Sequence, residues 1–267
     1  MRRCDSLPLC LRASAVLLTL GLVLAASAVP AATTGQRLLL PYYETEMGNV
    51  FGASTLFALR NESTQSVEVT IKYYEADAPQ APQVTDPVML GPKGVKTVNL
   101  RDVPLLEVDP DGFARGFVVF EAPTGVEIHG DYFQATPGDA FATGARLVNL
   151  DTDPCSTFSV RFLRGGAFSG GTNYVLWIDA DALPLPAEAV VYSIYTEAGG
   201  APVKLDFLDV GLATTRFSVQ DLLGGVDSGL NAGVLELQLS EGLQGHLAAT
   251  MSASGLYSVG LEAACRD

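Results

Sequence analysis

The 267-residue sequence predicts an all-β chain of two tandem immunoglobulin-like antiparallel β-sandwich domains that arose by internal duplication. Three observations predict it. Past residue 31 the apolar segments are short, rich in β-branched and aromatic residues, and broken by Gly, Pro, Asn and Asp. Several of them alternate with period two, as a half-buried strand requires. A set of residues also recurs 117 positions on: Gly112, Gly116, Gly125 and His129 against Gly229, Gly233, Gly242 and His246, and Phe51 to Leu59 against Phe168 to Leu176. A common offset at both ends marks a unit present twice.

The first segment stands outside that pattern. Met1-Arg2-Arg3 and Arg12 are basic, Ala13 to Ala28 is apolar, and Ala26-Ser27-Ala28 has the small-x-small form of a cleavage site. Residues 1–31 therefore read as a secretory signal peptide, with an apolar run too short to span a bilayer comfortably. No cysteine follows the run to accept a lipid, and Ala263-Ala264-Cys265-Arg266-Asp267 is no apolar tail. The expected product is secreted or periplasmic, with no membrane insertion after leader cleavage.

The first domain is expected over 32–151, with strands near 37–43, 53–60, 66–75, 87–90, 95–101, 114–121, 126–134 and 141–149. Ser66 to Tyr73 and Thr97 to Arg101 alternate strictly. Gly116 to Glu121 is a continuous apolar strand, and Ala122-Pro123-Thr124-Gly125 turns it back, since Pro sets one φ and Gly permits a positive one. The polar Asp151-Thr152-Asp153-Pro154 marks the boundary. The second domain, 152–267, repeats the strands near 156–163, 172–179, 187–196, 203–208, 214–220, 232–239, 243–251 and 255–263. Arg216 to Gln220 alternates, and Ser240-Glu241-Gly242 makes the matching turn. The offset drifts to 122 where Tyr73-Tyr74-Glu75-Ala76 meets Tyr195-Thr196-Glu197-Ala198, and to 119 at Asp102 and Asp221, as loop insertions around a kept framework produce. About seven strands per unit, with turns at roughly 8–12 residue intervals, is the immunoglobulin-like pattern.

Composition excludes several functions. Formal charge is −14, and loss of Arg2, Arg3, Arg12 and Asp5 with the leader takes it to −16. Nucleic acid needs a basic face, and so does an anionic membrane surface. Cys155 and Cys265 remain after cleavage, an even count in an oxidising compartment that reads as one disulfide bracketing the second unit.

Candidate chemistry is sparse. His129 and His246, one per unit, supply no cluster of three metal ligands and read as exposed or loop-satisfying survivors of the ancestral unit. Calcium, a weak possible ligand, is served best by Asp109 and Asp111 in Glu107-Val108-Asp109-Pro110-Asp111-Gly112 and by Asp151 and Asp153 at the linker; neither segment has EF-hand spacing. Tyr42, Tyr43 and Tyr132 are weak candidates for a binding face, and Tyr73-Tyr74 and Trp177 are further aromatics of that kind. No serine or cysteine stands in a nucleophile constellation, so no enzyme is expected.

Gly130-Asp131-Tyr132-Phe133-Gln134 followed by Phe141-Ala142-Thr143-Gly144, with Leu40-Pro41-Tyr42-Tyr43 and Thr55-Leu56-Phe57 upstream, resembles a group of uncharacterised secreted bacterial proteins. The resemblance covers mainly the first unit and implies address and fold, with no established activity. The expectation is a secreted, non-catalytic binding or structural module at the cell surface, matrix or periplasm, with a protein or glycan partner. A periplasmic assembly factor of chaperone type and a secreted carboxylate-dependent hydrolase are the alternatives.

Overall fold

The structure is a computed structural model that describes residues 34–104, 106–136, 141–151, 155–165, 171–180, 183–225, 230–253 and 257–266. The described chain is all-β with several antiparallel sheets. In its first half lie β1 (Thr34–Gly35), β2 (Arg37–Glu46), β3 (Ser54–Asn61), β4 (Val67–Glu75), β5 (Val84–Leu90), β6 (Val95–Asn99), β7 (Phe113–Glu121), β8 (Ile128–Thr136), β9 (Phe141–Arg146) and β10 (Val148–Asn149). They form one sheet ordered β1-β8-β3-β6, with β9 also on β8, and another ordered β10-β2-β7-β4-β5. In the second half lie β11 (Thr157–Leu163), β12 (Gly171–Asp179), β13 (Val190–Thr196), β14 (Lys204–Phe207), β15 (Thr214–Ser218), α1 (Val219–Leu223), β16 (Ala232–Leu239), β17 (Gln244–Ala253), β18 (Tyr257–Glu262) and β19 (Ala264–Cys265). Their sheets are β14-β13-β16-β11-β19 and β15-β12-β17-β18.

Alternation sends every second side chain into a core. In the first half Phe57 and Leu59 of β3 meet Ile71 and Tyr73 of β4 and Val118 and Phe120 of β7. Phe57 stands edge-on to Phe120 with ring centroids 4.9 Å apart. In the second half Tyr174 and Leu176 of β12 meet Tyr192 and Ile194 of β13 and Leu235 and Leu237 of β16. Each such side chain contributes roughly 1.5–3 kcal/mol on burial.

The runs without alternation have a different cause. Leu38 and Leu40 face the first core, while Leu39 faces the other way. Val118 and Phe120 likewise face inward, and Phe117 and Val119 outward. The outward set does not meet water: Leu39, Phe117 and Val119 join Trp177 and Ala213 of the second half in a third buried cluster. A strand buried on both faces carries no polar position, hence the unbroken Phe117-Val118-Val119-Phe120. Where Leu39 stands opposite Val119, the second half has the polar pair Ser159 opposite Glu236.

One strand pairing recurs at the 117-residue offset. Ser54 stands opposite Ala135 and Gly171 opposite Ser252, each 117 residues on. Tyr74 opposite Phe117 corresponds to Tyr195 opposite Val234, which corrects the 122-residue alignment of that strand to 121. The recurring Gly116 and Gly233 have one shared cause. A Cβ on Gly116 would fall 1.8 Å from the Tyr74 carbonyl oxygen, and one on Gly233 2.1 Å from that of Tyr195. Gly125 and Gly242 have φ of 81° and 84°, as the expected hairpin turns require.

Three local expectations change. The strand expected over 214–220 ends at Ser218, which caps α1 in a capping box with Asp221, and Gly224 closes the helix in a left-handed conformation. The strand expected to reach 101 ends at Asn99, whose side chain accepts from Arg101 N at the head of the 3₁₀ turn Leu100–Asp102. The strand expected from 87 begins at Val84 and contains Pro87, which an edge strand tolerates. Cys155 and Cys265 are disulfide-bonded, with Cα atoms 5.7 Å apart, and β19 beside the bond pairs with β11.

Candidate functional site

The loop between β2 and β3, Met47 to Ala53, is short, with Gly48, Asn49 and Gly52 as turn residues, and holds two adjacent apolar residues at its tip. Val50 is 68% and Phe51 71% exposed. Asn49 organises the turn: its Oδ1 accepts from Phe51 N at 3.0 Å, its Nδ2 donates to Glu46 Oε2 at 3.2 Å, and its carbonyl accepts from Gly52 N at 3.0 Å. Glu46 N closes the base on Ala53 O at 2.8 Å.

One side chain braces the whole loop. Arg101 donates from Nε to Glu46 O (3.1 Å), from Nη1 to Val50 O (3.3 Å), and from Nη2 to Gly52 O (3.2 Å) and Ala53 O (3.0 Å). Arg101 is itself positioned by Asn99, whose Oδ1 accepts from Arg101 N at 3.1 Å and from Ser54 Oγ at 2.8 Å. Bonds from a charged donor contribute about 1.5–3 kcal/mol each where water is excluded and less at this partly exposed site. With the backbone polar groups turned inward to Arg101 and Asn49, the Val50 and Phe51 side chains are left pointing out. An exposed aromatic on an already ordered loop binds without the usual cost of ordering.

Beside the loop stands a carboxylate-rich turn, joined to it by Met47 N donating to Gly112 O at 3.1 Å. Arg115 donates to Glu44 Oε2 (3.1 Å), Asp109 Oδ2 (2.7 Å) and Asp111 Oδ2 (2.8 Å), and its guanidinium lies 4.7 Å from the Phe113 ring centroid. The hydrogen bond from Arg115 holds the Asp111 carboxyl below the usual range. The same bond, with those to Asp109 and Glu44, keeps the guanidinium charged against its partial burial. A second carboxylate group lies on the other side of Glu107. Burial raises the Glu75 pKa, and the neighbouring Glu107 and Asp77 raise it further. Gln83 links this group to the core, donating to Tyr43 Oη at 2.9 Å and accepting from Glu107 N at 2.7 Å.

The sequence-predicted sites fall as follows. Asp109 and Asp111 come together, but on Arg115. Asp151 accepts through Oδ2 from Arg37 N at 3.1 Å and from Gln36 N. Asp153 lies outside the described residues. Among the described residues no group of three or more His, Cys, Asp or Glu side chains could hold a metal ion. Tyr42, Tyr43 and Tyr132 do not form a binding face, because all three are buried. Tyr43 and Tyr132 are inward positions of β2 and β8 in the first core, where burial pushes Tyr132 up to about 12. Tyr42 donates to Glu44 Oε2 at 2.7 Å.

The two histidines diverge. His129 stands opposite Arg60, with Nε2 3.7 Å from Asp131 Oδ2. His246 stands opposite Trp177 at the same register, its ring stacked 5.7 Å from the indole. It is not an exposed survivor: His246 Nε2 and Trp177 Nε1 are both buried without a hydrogen-bond partner among the described residues, and burial lowers the imidazole pKa to about 4. Sequence reasoning missed Arg101, Arg115 and the Val50-Phe51 tip. The one available signal was an apolar pair inside the turn sequence Gly48-Asn49-Val50-Phe51-Gly52. No family model, curated protein or solved structure matches the chain significantly.

Proposed function

We propose that the protein is a secreted, non-catalytic binding module, made of two immunoglobulin-like sandwich domains of common origin, which grips an extracellular protein through Phe51 and Val50. The observation that carries the reading is the exposure of both residues on a loop that Arg101 braces through three of its carbonyls and that of Glu46 at its base. Functional residues gather on loops positioned by rigid scaffolds, and aromatic anchors dominate interface energetics. The turn joined to the loop, where Glu44, Asp109 and Asp111 surround the single Arg115, favours a partner whose apolar cleft has a basic rim. The matching strand registers support a common origin of the halves, and the disulfide supports an oxidising compartment.

The chaperone alternative needs a free cation to clamp a client carboxylate. Arg101 is spent on its own loop and Arg115 on three carboxylates, which speaks against that reading at this end. The hydrolase alternative draws support from the raised Glu75 pKa beside Glu107. Protein and glycan arrays together with a hydrolase panel, run on wild type and Phe51→Ser, separate the readings. Binding lost in Phe51→Ser supports the module; hydrolysis abolished by Glu75→Gln replaces it with the enzyme.

A further inference from the structure

Strand β14 ends its sheet, hydrogen-bonded to β13 on one side only. Leu205 and Phe207 project from one face and are 64% and 50% exposed, and Val203, at the bend that precedes the strand, is 40% exposed. Lys204 and Asp206 project from the other, with Lys204 Nζ 5.8 Å from the Tyr192 ring centroid and 3.8 Å from Asp206 Oδ2. Natural sheet edges are ordinarily blunted. The first half does so at β5, where Thr85, Asp86 and Pro87 occupy the open strand. β14 has no proline, and its two charges, Lys204 and Asp206, are of opposite sign.

The order of charges selects a partner. We propose that β14 pairs antiparallel with β14 of a second copy of this chain, about a two-fold axis at Leu205. In that register Leu205 faces Leu205, Val203 faces Phe207, and Lys204 faces Asp206 at both symmetry-related positions. Directly opposite residues in an antiparallel pair project to the same face. Leu205 and Phe207 of each copy therefore merge into one patch, and both charges of each copy are matched. An unrelated strand has no such constraint, whereas this segment is complementary to its own reverse, as an isologous interface demands.

The backbone permits the pairing. Leu208 N donates to Val190 O at 2.9 Å. Period two within Lys204–Phe207 then turns the amides of Asp206 and Lys204 toward β13 and leaves those of Leu205 and Phe207 on the open edge, while Val203, at the bend before the strand, also donates its N to Ile194 O at 2.7 Å. Leu205 exchanges two bonds with its symmetry mate. Phe207 N, which donates to Asp206 Oδ1 at 2.9 Å, turns to the opposing Val203 carbonyl and releases the carboxylate for Lys204 of the other copy.

A charge exchange tests the register. Wild type, Lys204→Asp, Asp206→Lys and an equimolar mixture of the two variants are followed by sedimentation velocity across a concentration series, with circular dichroism confirming the fold. Wild type is expected to dimerise. Each variant alone places like charges opposite one another twice and weakens the dimer at least ~10-fold, whereas the mixture restores a one-to-one heterodimer near wild-type affinity. Leu205→Glu, at an exposed position, gives a monomer of unchanged melting temperature. A wild type that stays monomeric at ~1 mM overturns the proposal, as does a dimer that survives either single variant or a mixture that fails to associate. If a variant fails to fold, Leu205→Glu and the wild-type concentration series decide alone.

Discussion

Thr214 Oγ1 donates to the carbonyl oxygen of Pro41 at 2.6 Å, a buried bond spanning 173 residues of sequence. It sits where β2 breaks register with β7, between Leu40 and Tyr43. β11, the corresponding strand of the second half, pairs with β16 without a break. The irregularity in β2 thus lies where the second half docks, beside Ala213 N donating to Ala76 O at 2.9 Å and Trp177 meeting Phe117 edge-on at 6.2 Å. The counterpart of Trp177 in the first half is Arg60, so the contact runs one way and does not repeat along a chain of units.

Trp177→Ala removes the centre of the shared cluster. It is expected to lower stability by about 3–5 kcal/mol, read by urea denaturation, and to increase the radius of gyration in small-angle scattering. Thr214→Val leaves the buried Pro41 carbonyl without its hydroxyl donor and costs about 1–3 kcal/mol.

His246 makes stability fall with acid. Its folded pKa, about 4, lies below the ordinary histidine value of 6.5, so the unfolded state binds the proton more tightly. Stability contributed by the neutral ring is complete above pH ~6.5 and declines as pH falls toward 4, by roughly 2–3 kcal/mol in all. Guanidinium melts between pH 4 and 7 should show this slope, and His246→Phe should flatten it.

Reduction of Cys155–Cys265 opens a loop of 110 residues. The chain-entropy account sets an upper bound of about 4–5 kcal/mol on the loss. Dithiothreitol should lower the melting temperature of wild type and leave that of a Cys155→Ser, Cys265→Ser double variant unchanged.

Arg101→Ala should loosen the Val50-Phe51 loop before it harms the fold. Amide exchange over residues 47–53 is expected to quicken by an order of magnitude or more, with about 1–2 kcal/mol lost globally. Arg101→Lys should recover little, because an ammonium cannot reproduce the planar fork that reaches four carbonyls.

The strand framework was legible because period-two alternation and turn glycines are local. Val69 and Ile71, each between two polar residues, advertise their inward side by their neighbours alone. The same locality made Val219 and Gln220 look like strand, although Ser218 and Asp221 already spelled the capping box that starts α1. Phe117 and Val119 showed apolar character but not its reason, since the residues that bury them, Trp177 and Ala213, stand far along the chain. The candidate site was least legible. Nothing local couples Arg101 to a loop some fifty residues earlier, and Tyr42, Tyr43 and Tyr132 carry no mark that separates a buried ring from a displayed one.

The most direct test of the central claim is surface plasmon resonance of wild type and Phe51→Ser against any array-identified partner. Phe51 is 71% exposed, so the substitution should leave stability within ~0.5 kcal/mol. The account predicts at least ~30-fold weaker binding through faster dissociation, from the loss of roughly 2 kcal/mol at an aromatic anchor. Undiminished affinity in Phe51→Ser, with the melting temperature unchanged, would contradict it.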